Sequence, residues 1–291
     1  MFSNLKTTFK LTVIFKLLLI FIFSSQYNSE LFTPFLNSIS FENPNPWNLF
    51  YKENLINNFP YHGLMLLILA PFAYLGQFLD ISESLIKLPL LLADLGILYV
   101  LVRLFPRKEK KIYLYYFLNP IILYSTYIHS QLDIIPTALL FFCIYKFGLK
   151  QVKLSALFFG LALATKFHVL VALPLILFYV FKKMGFNETV KYLSIAVLTL
   201  FLFDLPFIFS DGFLQMVILN PKQSLLFDSF YNIGSVKLFF PIFSILLVYL
   251  HFFNQKKVNQ DLLFFYFGLL FTSTIFFIYP GPAWYVWMIP Y

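Results

Sequence analysis

The sequence predicts an all-α polytopic membrane protein, and three observations carry that prediction. Of the 291 residues, 60% are hydrophobic and only 12% are charged, whereas a soluble domain carries about 25% charged residues. The hydrophobic residues are gathered into runs, and a spanning helix needs about 20 apolar residues. The basic residues lie mostly in short segments between these runs. We therefore expect a single transmembrane helix bundle over residues 1–291.

About nine spans are predicted, and the first is expected to be retained because Ser24-Ser25-Gln26 is not a small-x-small cleavage site. Several runs are short or contain proline, which helix bundles tolerate where the segment is buried in protein. The predicted spans are residues 7–24, 85–105, 112–128, 134–149, 154–166, 168–182, 190–209, 236–253 and 261–279.

A further apolar run, residues 62–79, is long enough to cross the membrane. The distribution of Lys and Arg along the chain indicates whether it does. If it does not cross, 15 Lys and Arg lie inside and five lie outside, with Lys16 in the first span. The positive-inside rule strongly prefers this arrangement. We therefore predict a re-entrant or interfacial helix over 62–79, with Pro71 in its middle, inside a large extracytoplasmic loop that covers residues 25–84.

Composition also limits the partners. The one cysteine, Cys143, excludes a disulfide framework and a Cys-rich metal site. The net charge of +8 does not indicate nucleic-acid binding, because the basic residues sit in short loops beside the membrane, where they can contact anionic lipids. A plasma (inner) membrane is the default location, with the endoplasmic reticulum second. The Trp- and Tyr-rich stretch 284–291 is typical of the start of another helix, so we expect a C-terminally truncated sequence.

Ionisable residues in or beside the spans are the candidates for function, because each costs about 2.5–3.5 kcal/mol to insert. They can equally be structural pairs between helices, and Asp94 in mid-helix fits either interpretation. The candidates of this kind are Lys87, Asp94, His129, Asp133, Lys166 and Asp204.

Two polar turns are predicted on the outer side. His129, Gln131 and Asp133 alternate in one turn and could hold sugar hydroxyls, a phosphate or, loosely, a divalent cation; the alternative is a polar turn that caps two helices. Lys166 in the other turn suits an anionic ligand such as a lipid phosphate, or it extends to the headgroups. Glu30, just after the first span, could act as a general base or simply be solvated.

In their order along the chain, these features resemble the GT-C superfamily of membrane glycosyltransferases, which use polyprenyl- or dolichyl-phosphate sugars. Each motif is short, and together they extend over most of the chain. The motifs are Glu30-Leu31-Phe32-Thr33-Pro34-Phe35, Asn45-Pro46-Trp47, Phe59-Pro60-Tyr61, Lys87 to Asp94, Asn119-Pro120, His129-Ser130-Gln131-Leu132-Asp133, Ala164-Thr165-Lys166 and Pro282-Ala283-Trp284-Tyr285.

The resemblance implies a mannosyltransferase-like enzyme of glycan biosynthesis that moves a hexose from a polyprenyl-phosphate donor to a glycan or lipid-linked acceptor outside the cytoplasm. Glu30 would be the catalytic base, although the family's first-loop acid is usually Asp and Asn28 lies close by. No cofactor, tightly bound metal or nucleic acid is expected. The residues expected to bind the donor phosphate or sugar are Lys87, Asp94, His129, Gln131, Asp133, Lys166, His168 and Lys222.

Two other functions stay open at this point. A lipid-linked glycan flippase or a secondary transporter would also contain intramembrane charges and broken helices, but the chain has no internal repeat and its acids gather on the predicted outer side. A catalytically inactive scaffold of the same fold would account for the missing Asp.

Overall fold

Most of the described chain is helical, as its composition predicts. The computed structural model describes residues 2–40, 42–278, 280–281 and 283–291, together with the side chains of all of these except residues 2–6. Pro282 of the resemblance and the Lys6 side chain counted for orientation therefore lie outside the described part. The α-helices are α1 Phe2–Ile22, α2 Thr33–Asn37, α3 Pro46–Lys52, α4 Gly63–Leu79, α5 Ser82–Leu85, α6 Leu88–Leu104, α7 Glu109–Ile112, α8 Pro120–Leu123, α9 Ile134–Gly148, α10 Val152–Leu163, α11 Leu173–Met184, α12 Phe186–Asp204, α13 Asp211–Phe213, α14 Phe240–Phe253 and α15 Gln260–Phe277.

Tighter and wider helical turns continue several of these helices. π-Helical turns cover Tyr27–Phe32, Tyr113–Phe117, Tyr124–Ile128 and Leu214–Ile218, and 3₁₀ turns cover Phe167–Ala172, Pro221–Phe227 and Trp284–Trp287. The predicted span 112–128 is interrupted at Asn119, whose backbone is extended and whose side chain accepts a hydrogen bond from Ile121 N at 2.9 Å. The interruption follows from Pro120, which has no N–H to continue the preceding helix.

Four helices in the described part are long and apolar enough to cross a membrane: Ser82–Leu104, Phe167–Met184, Phe186–Asp204 and Gln260–Phe277. A fifth span results if Thr7–Ile22 and Tyr27–Asn37, which meet at 63°, count as one. These helices confirm the all-α class and are compatible with a membrane protein. The number of nine spans stays a prediction, because helices such as α9 and α10 are shorter than a full crossing.

A short β-hairpin is the exception to the helical class. Strands β1 (Phe230–Ile233) and β2 (Val236–Phe239) pair antiparallel across a two-residue turn at Gly234, which has φ +62°. The helix within the predicted span 236–253 therefore starts at Phe240 and not at residue 236. The signal was present in the sequence, because Gly at such a turn adopts positive φ without steric cost.

The directions in which neighbouring helices run bring loops that are far apart in the sequence to one end of the bundle. In the hairpin of α9 and α10, the Phe142 and Phe158 rings stack at 5.3 Å. Helix α10 runs parallel to α12, because Ser155 lies opposite Tyr192 while Gly160 lies opposite Ala196 and Thr199. A Cβ on Gly160 would lie 2.6 Å from the Ala196 carbonyl oxygen, so glycine permits this close approach.

The start of α9 and the ends of α10 and α12 consequently lie together, and we refer to this end of the bundle as the site end. Helix α4 also begins there, since the Leu64 N–H donates to Ala164 O at 3.1 Å and the Gly63 N–H donates to Asp204 Oδ1 at 2.9 Å. The last turn of α4 contacts Ser82, ahead of α6. Helix α6 starts at the site end too, because it runs parallel to α9, with Gly96 against Phe142 and Tyr99 against Tyr145.

Candidate functional site

A cavity of about 760 Å³ lies at the site end and extends between the 3₁₀ turn Phe167–Ala172, α14 and α15. Polar and basic side chains line one part of it, and aliphatic and aromatic side chains line the rest. The polar and basic lining residues are Asn57, His129, Gln131, Lys166, His168, Lys222, Gln223 and Thr274. The apolar and aromatic wall includes Tyr27, Tyr61, Leu225, Leu226, Phe227, Ile242, Ile245, Leu246, Tyr249, Phe271, Ile278, Trp284 and Trp287. The cavity is therefore amphiphilic.

Asp133 organises the polar part although it is itself fully buried. Its carboxylate accepts from Lys166 Nζ at 2.7 Å to each oxygen. Its Oδ2 also accepts from Gln131 Nε2 at 3.0 Å and from Trp287 Nε1 at 2.9 Å. One carboxylate thus fixes a cation, an amide and an indole that come from three separate segments.

The protonation state of Asp133 follows from these partners. Burial alone raises the pKa of this carboxyl, but the Lys166 ammonium and the hydrogen bonds from Lys166 and Gln131 outweigh burial and hold the pKa below its usual value. Burial and the adjacent Asp133 charge raise the pKa of Tyr61 well above its usual value. Asp133 is therefore an anion surrounded by donors.

Lys166 and Lys222 supply positive charge to the same cavity. The Lys166 side chain is 14% exposed, and its Nζ lies 5.2 Å from the Tyr61 ring centre and 5.5 Å from the Trp284 ring centre. Lys222 lines the same cavity and is an exposed residue. Partial burial and the Lys166 charge lower the pKa of Lys222. No acidic side chain pairs with Lys222 within 4.0 Å among the described residues.

An aromatic stack forms a wall beside these lysines. The Trp287 ring lies between His168, at 4.1 Å and 11°, and Trp284, at 5.1 Å and 13°. Because Asp133 holds the Trp287 indole N–H, the stack and the Lys166 ammonium share one anchor. The arrangement presents flat apolar faces next to a cation.

Two histidines contribute ring nitrogens near the cavity. The buried nitrogens His129 Nδ1, His168 Nδ1 and His168 Nε2 have no hydrogen-bond partner in the described part of the chain. His129 packs on Tyr27 at 4.7 Å. Burial lowers the pKa of His129, so its imidazole is neutral at neutral pH and can accept a proton.

Three predicted site residues lie apart both from the cavity lining and from Asp133, which is buried and bonded to lining residues. Glu30 is exposed on the turn Tyr27–Phe32, where its carboxylate accepts from Gln26 Nε2 at 2.9 Å. The buried Lys87 ammonium donates to the Phe23 carbonyl. Asp94 is paired with Lys16 inside the bundle at 2.6 Å. The structure therefore brings together His129, Gln131, Asp133, Lys166, His168 and Lys222, and it leaves Glu30, Lys87 and Asp94 apart from them.

Sequence reasoning missed Trp287, Tyr61 and Trp284 as individual site residues. The pair Trp284 and Trp287 is spaced by three residues, as one face of a 3₁₀ turn requires. That spacing was the available signal, but the contact between Trp287 and Asp133 joins residues 154 apart in the chain.

Among the described residues, no group of three or more His, Cys, Asp or Glu side chains is arranged to hold a metal ion. The chain matches no protein-family model, no curated protein and no solved structure.

Proposed function

We propose that the protein is a membrane glycosyltransferase that transfers a hexose from a polyprenyl-phosphate donor to an acceptor hydroxyl on the extracytoplasmic side. The observation that carries the proposal is the amphiphilic cavity, in which two lysines stand next to a long apolar wall. A lipid-linked phosphosugar has the same division into an anionic phosphodiester, a sugar and a hydrocarbon chain.

The charge of the polar part suits a phosphodiester. Lys166, Lys222 and the Asp133 carboxylate together leave one net positive charge, and a sugar phosphodiester carries one negative charge. Lysine ammoniums held in a partly desolvated site stabilise the charge that develops as a phosphate leaves. Since the phosphate is a good leaving group once its charge is balanced, it needs no proton donor.

The rest of the cavity offers surfaces for the sugar and the lipid. The faces of Trp284 and Trp287 suit the apolar face of a pyranose ring, and the side chains of Leu246, Tyr249 and Phe271 suit the isoprenoid chain. In the transfer step the acceptor oxygen bonds to the anomeric carbon as the bond from that carbon to the phosphate oxygen breaks. Polyprenyl phosphate leaves with the electron pair, through an oxocarbenium-like transition state.

The acceptor proton requires a base, and two residues are candidates. Glu30 is the base implied by the resemblance, but its carboxylate is not among the groups that line the cavity. His129 lines the cavity with a neutral imidazole. We propose that Glu30 acts only if the acceptor enters past Tyr27, and that His129 otherwise receives the proton.

The proposed orientation follows from the placement of α4 and of the basic residues. Both ends of α4 contact segments at the site end, which supports a helix that lies along the membrane surface and does not cross it. If α4 does not cross, the positive-inside rule puts the site end outside the cytoplasm. Carrier lipids that present sugars to extracytoplasmic acceptors are accessible from that side.

We expect purified protein to transfer labelled hexose from a polyprenyl-phosphate hexose to membrane lipid extract, and Lys222→Ala to reduce that transfer at least tenfold. The reason is the loss of one of two cations at the phosphate. Lys237→Ala removes an exposed lysine on β2 that is not part of the cavity lining and serves as the matched control. Transfer and donor binding are both measured.

Several outcomes would contradict the proposal. Equal transfer by Lys222→Ala and Lys237→Ala would remove the phosphate role of Lys222. Donor binding without transfer to any acceptor would favour a lipid-linked glycan flippase or an inactive scaffold. In the same assay, Glu30→Gln and His129→Gln distinguish the two bases, since only the true base reduces transfer while donor binding is retained.

A further inference from the structure

A second concave site lies at the opposite end of the bundle from the cavity described above. The segment Phe167–Met184 begins beside that cavity at His168 and ends at Lys182 and Lys183. At about 1.5 Å per residue the two ends are roughly 25 Å apart. The turn between α14 and α15 lies next to Lys182 and completes the second site.

Four lysines surround this site, which has a volume of about 830 Å³, and we call it the basic cradle. It is lined by Lys182, Lys183, Gln255, Lys256, Lys257, Val258, Asn259 and Leu262, with no acidic side chain in the lining. No ion pair within 4.0 Å involves any of the four lysines in the part of the chain that the structure describes.

The cradle is held in shape by its own hydrogen bonds. The Lys182 ammonium donates to the Phe253 carbonyl and, at 2.8 Å, to the Gln255 carbonyl, so it closes the C-terminal end of α14. Asn259 Oδ1 accepts from the Leu262 N–H at 2.8 Å and caps α15. These bonds fix the turn and leave the ammoniums of Lys183, Lys256 and Lys257 without a protein partner in the described part of the chain.

The helix ends and apolar side chains around the basic cradle indicate which kind of ligand its lysines would bind. The cradle lies where the apolar helices α11 and α14 end and α15 begins, so a membrane that covers these helices brings lipid headgroups to the same level. Buried Val258 and the side chain of Leu262 add an apolar part to the lining, which suits the glycerol and first acyl carbons of a lipid better than a free ion. Basic pockets between membrane helices are suited to anionic headgroups.

From this geometry we propose that the basic cradle binds the headgroup of an anionic phospholipid, with preference for a headgroup that carries two phosphates. Lys183, Lys256 and Lys257 contact the phosphate oxygens, and Lys182 holds the turn that positions them. The site is independent of the proposed transferase activity, because it lies at the other end of the bundle.

The experiment is native mass spectrometry of the full chain released from detergent with cardiolipin, phosphatidylglycerol or phosphatidylcholine. We expect cardiolipin to bind at least tenfold more tightly than phosphatidylcholine and more tightly than phosphatidylglycerol. The triple variant Lys183→Gln, Lys256→Gln, Lys257→Gln should lose this preference. The matched control Lys108→Gln, Lys110→Gln, Lys111→Gln removes the same charge from a basic segment outside the cradle and should retain it.

The proposal is overturned if both triple variants weaken cardiolipin binding equally, because the effect would then come from total charge. It is also overturned if 10 mM glycerol phosphate displaces cardiolipin completely, which would indicate a site for soluble phosphates. Thermal unfolding of each variant shows that the fold is retained. If the triple cradle variant unfolds, the test is repeated with the double variant Lys256→Gln, Lys257→Gln, whose substitutions both lie in the turn between α14 and α15. Its control is the double variant Lys110→Gln, Lys111→Gln.

Discussion

Asp133→Asn is expected to weaken donor binding at the proposed site strongly and to lower thermal stability. The asparagine keeps the shape, but its single carbonyl oxygen replaces a carboxylate that accepts from Lys166, Gln131 and Trp287. Removing one partner of a desolvated, hydrogen-bonded charge pair costs about 2–5 kcal/mol, and each 1.4 kcal/mol is about tenfold in an equilibrium constant. Donor affinity should therefore fall by more than about 20-fold.

The direction of the pH dependence follows from the lowered pKa of Asp133. A carboxyl whose pKa is lower in the folded state stabilises the fold fully above its unfolded pKa, which is about 3.9 for Asp. That stabilisation is lost as the pH falls through the lowered folded pKa. The contribution of the Asp133 carboxylate to donor binding by the wild-type protein should therefore still be present at pH 5. A loss of the contact between Asp133 and Lys166 above pH 5 would contradict the lowered pKa of Asp133.

Gln131→Leu is the matched control for Asp133→Asn. It removes one hydrogen bond to the carboxylate and leaves the contacts of Lys166 and Trp287 in place. We expect a smaller loss of donor affinity, measured by scintillation proximity with labelled donor. An equal loss in the two variants would mean that Asp133 acts only through Gln131.

A second large effect is expected for the buried pair of Lys16 and Asp94, which joins α1 to α6. Both side chains are 0% exposed, and the Asp94 carboxylate also accepts from Tyr116 at 2.7 Å and from Tyr127. Lys16→Met leaves a buried carboxylate without its cation, and breaking a buried pair in this way costs about 3–5 kcal/mol. We expect the unfolding temperature in detergent to fall by several degrees.

The double variant Lys16→Met with Asp94→Leu tests whether the ion pair itself is responsible. Replacing both charges removes the uncompensated ion, so the double variant should be more stable than the sum of the two single changes predicts. Lys237→Met, at an exposed position, is the control and should leave the unfolding temperature unchanged. Strict additivity of the two single changes would contradict a direct pairing.

The sequence was sufficient for the part of the site that depends on helix order. Asp133 precedes α9 and Lys166 follows α10, and two antiparallel neighbours bring such residues to the same end. The positive-inside rule predicts that both lie on one side of the membrane, and six of the predicted donor-binding residues meet in the observed cluster. Composition alone likewise predicted apolar helices long enough to cross a membrane, and the described part of the chain contains four.

The sequence was not sufficient where the result depends on how a helix is rotated or on where distant segments pack. Asp94 was a candidate for ligand binding, but the rotation of α6 turns it toward Lys16, a contact that spans 78 residues. Trp287 reaches Asp133 across 154 residues. Glu30 was placed correctly after the first helix, yet the π-helical turn directs its carboxylate to Gln26 rather than into the cavity lining. None of these orientations has a local sequence signal.

Photocrosslinking tests directly whether the cavity at the site end holds a lipid-linked phosphosugar. A polyprenyl-phosphate hexose that carries a diazirine in its first isoprene units is bound to the protein, irradiated and mapped by peptide mass spectrometry. We expect crosslinks within α14 and α15, at residues such as Leu246 and Phe271, that excess unlabelled donor removes and that Lys222→Ala weakens. Crosslinks confined to the outer surfaces of the helices, or insensitive to unlabelled donor, would contradict it.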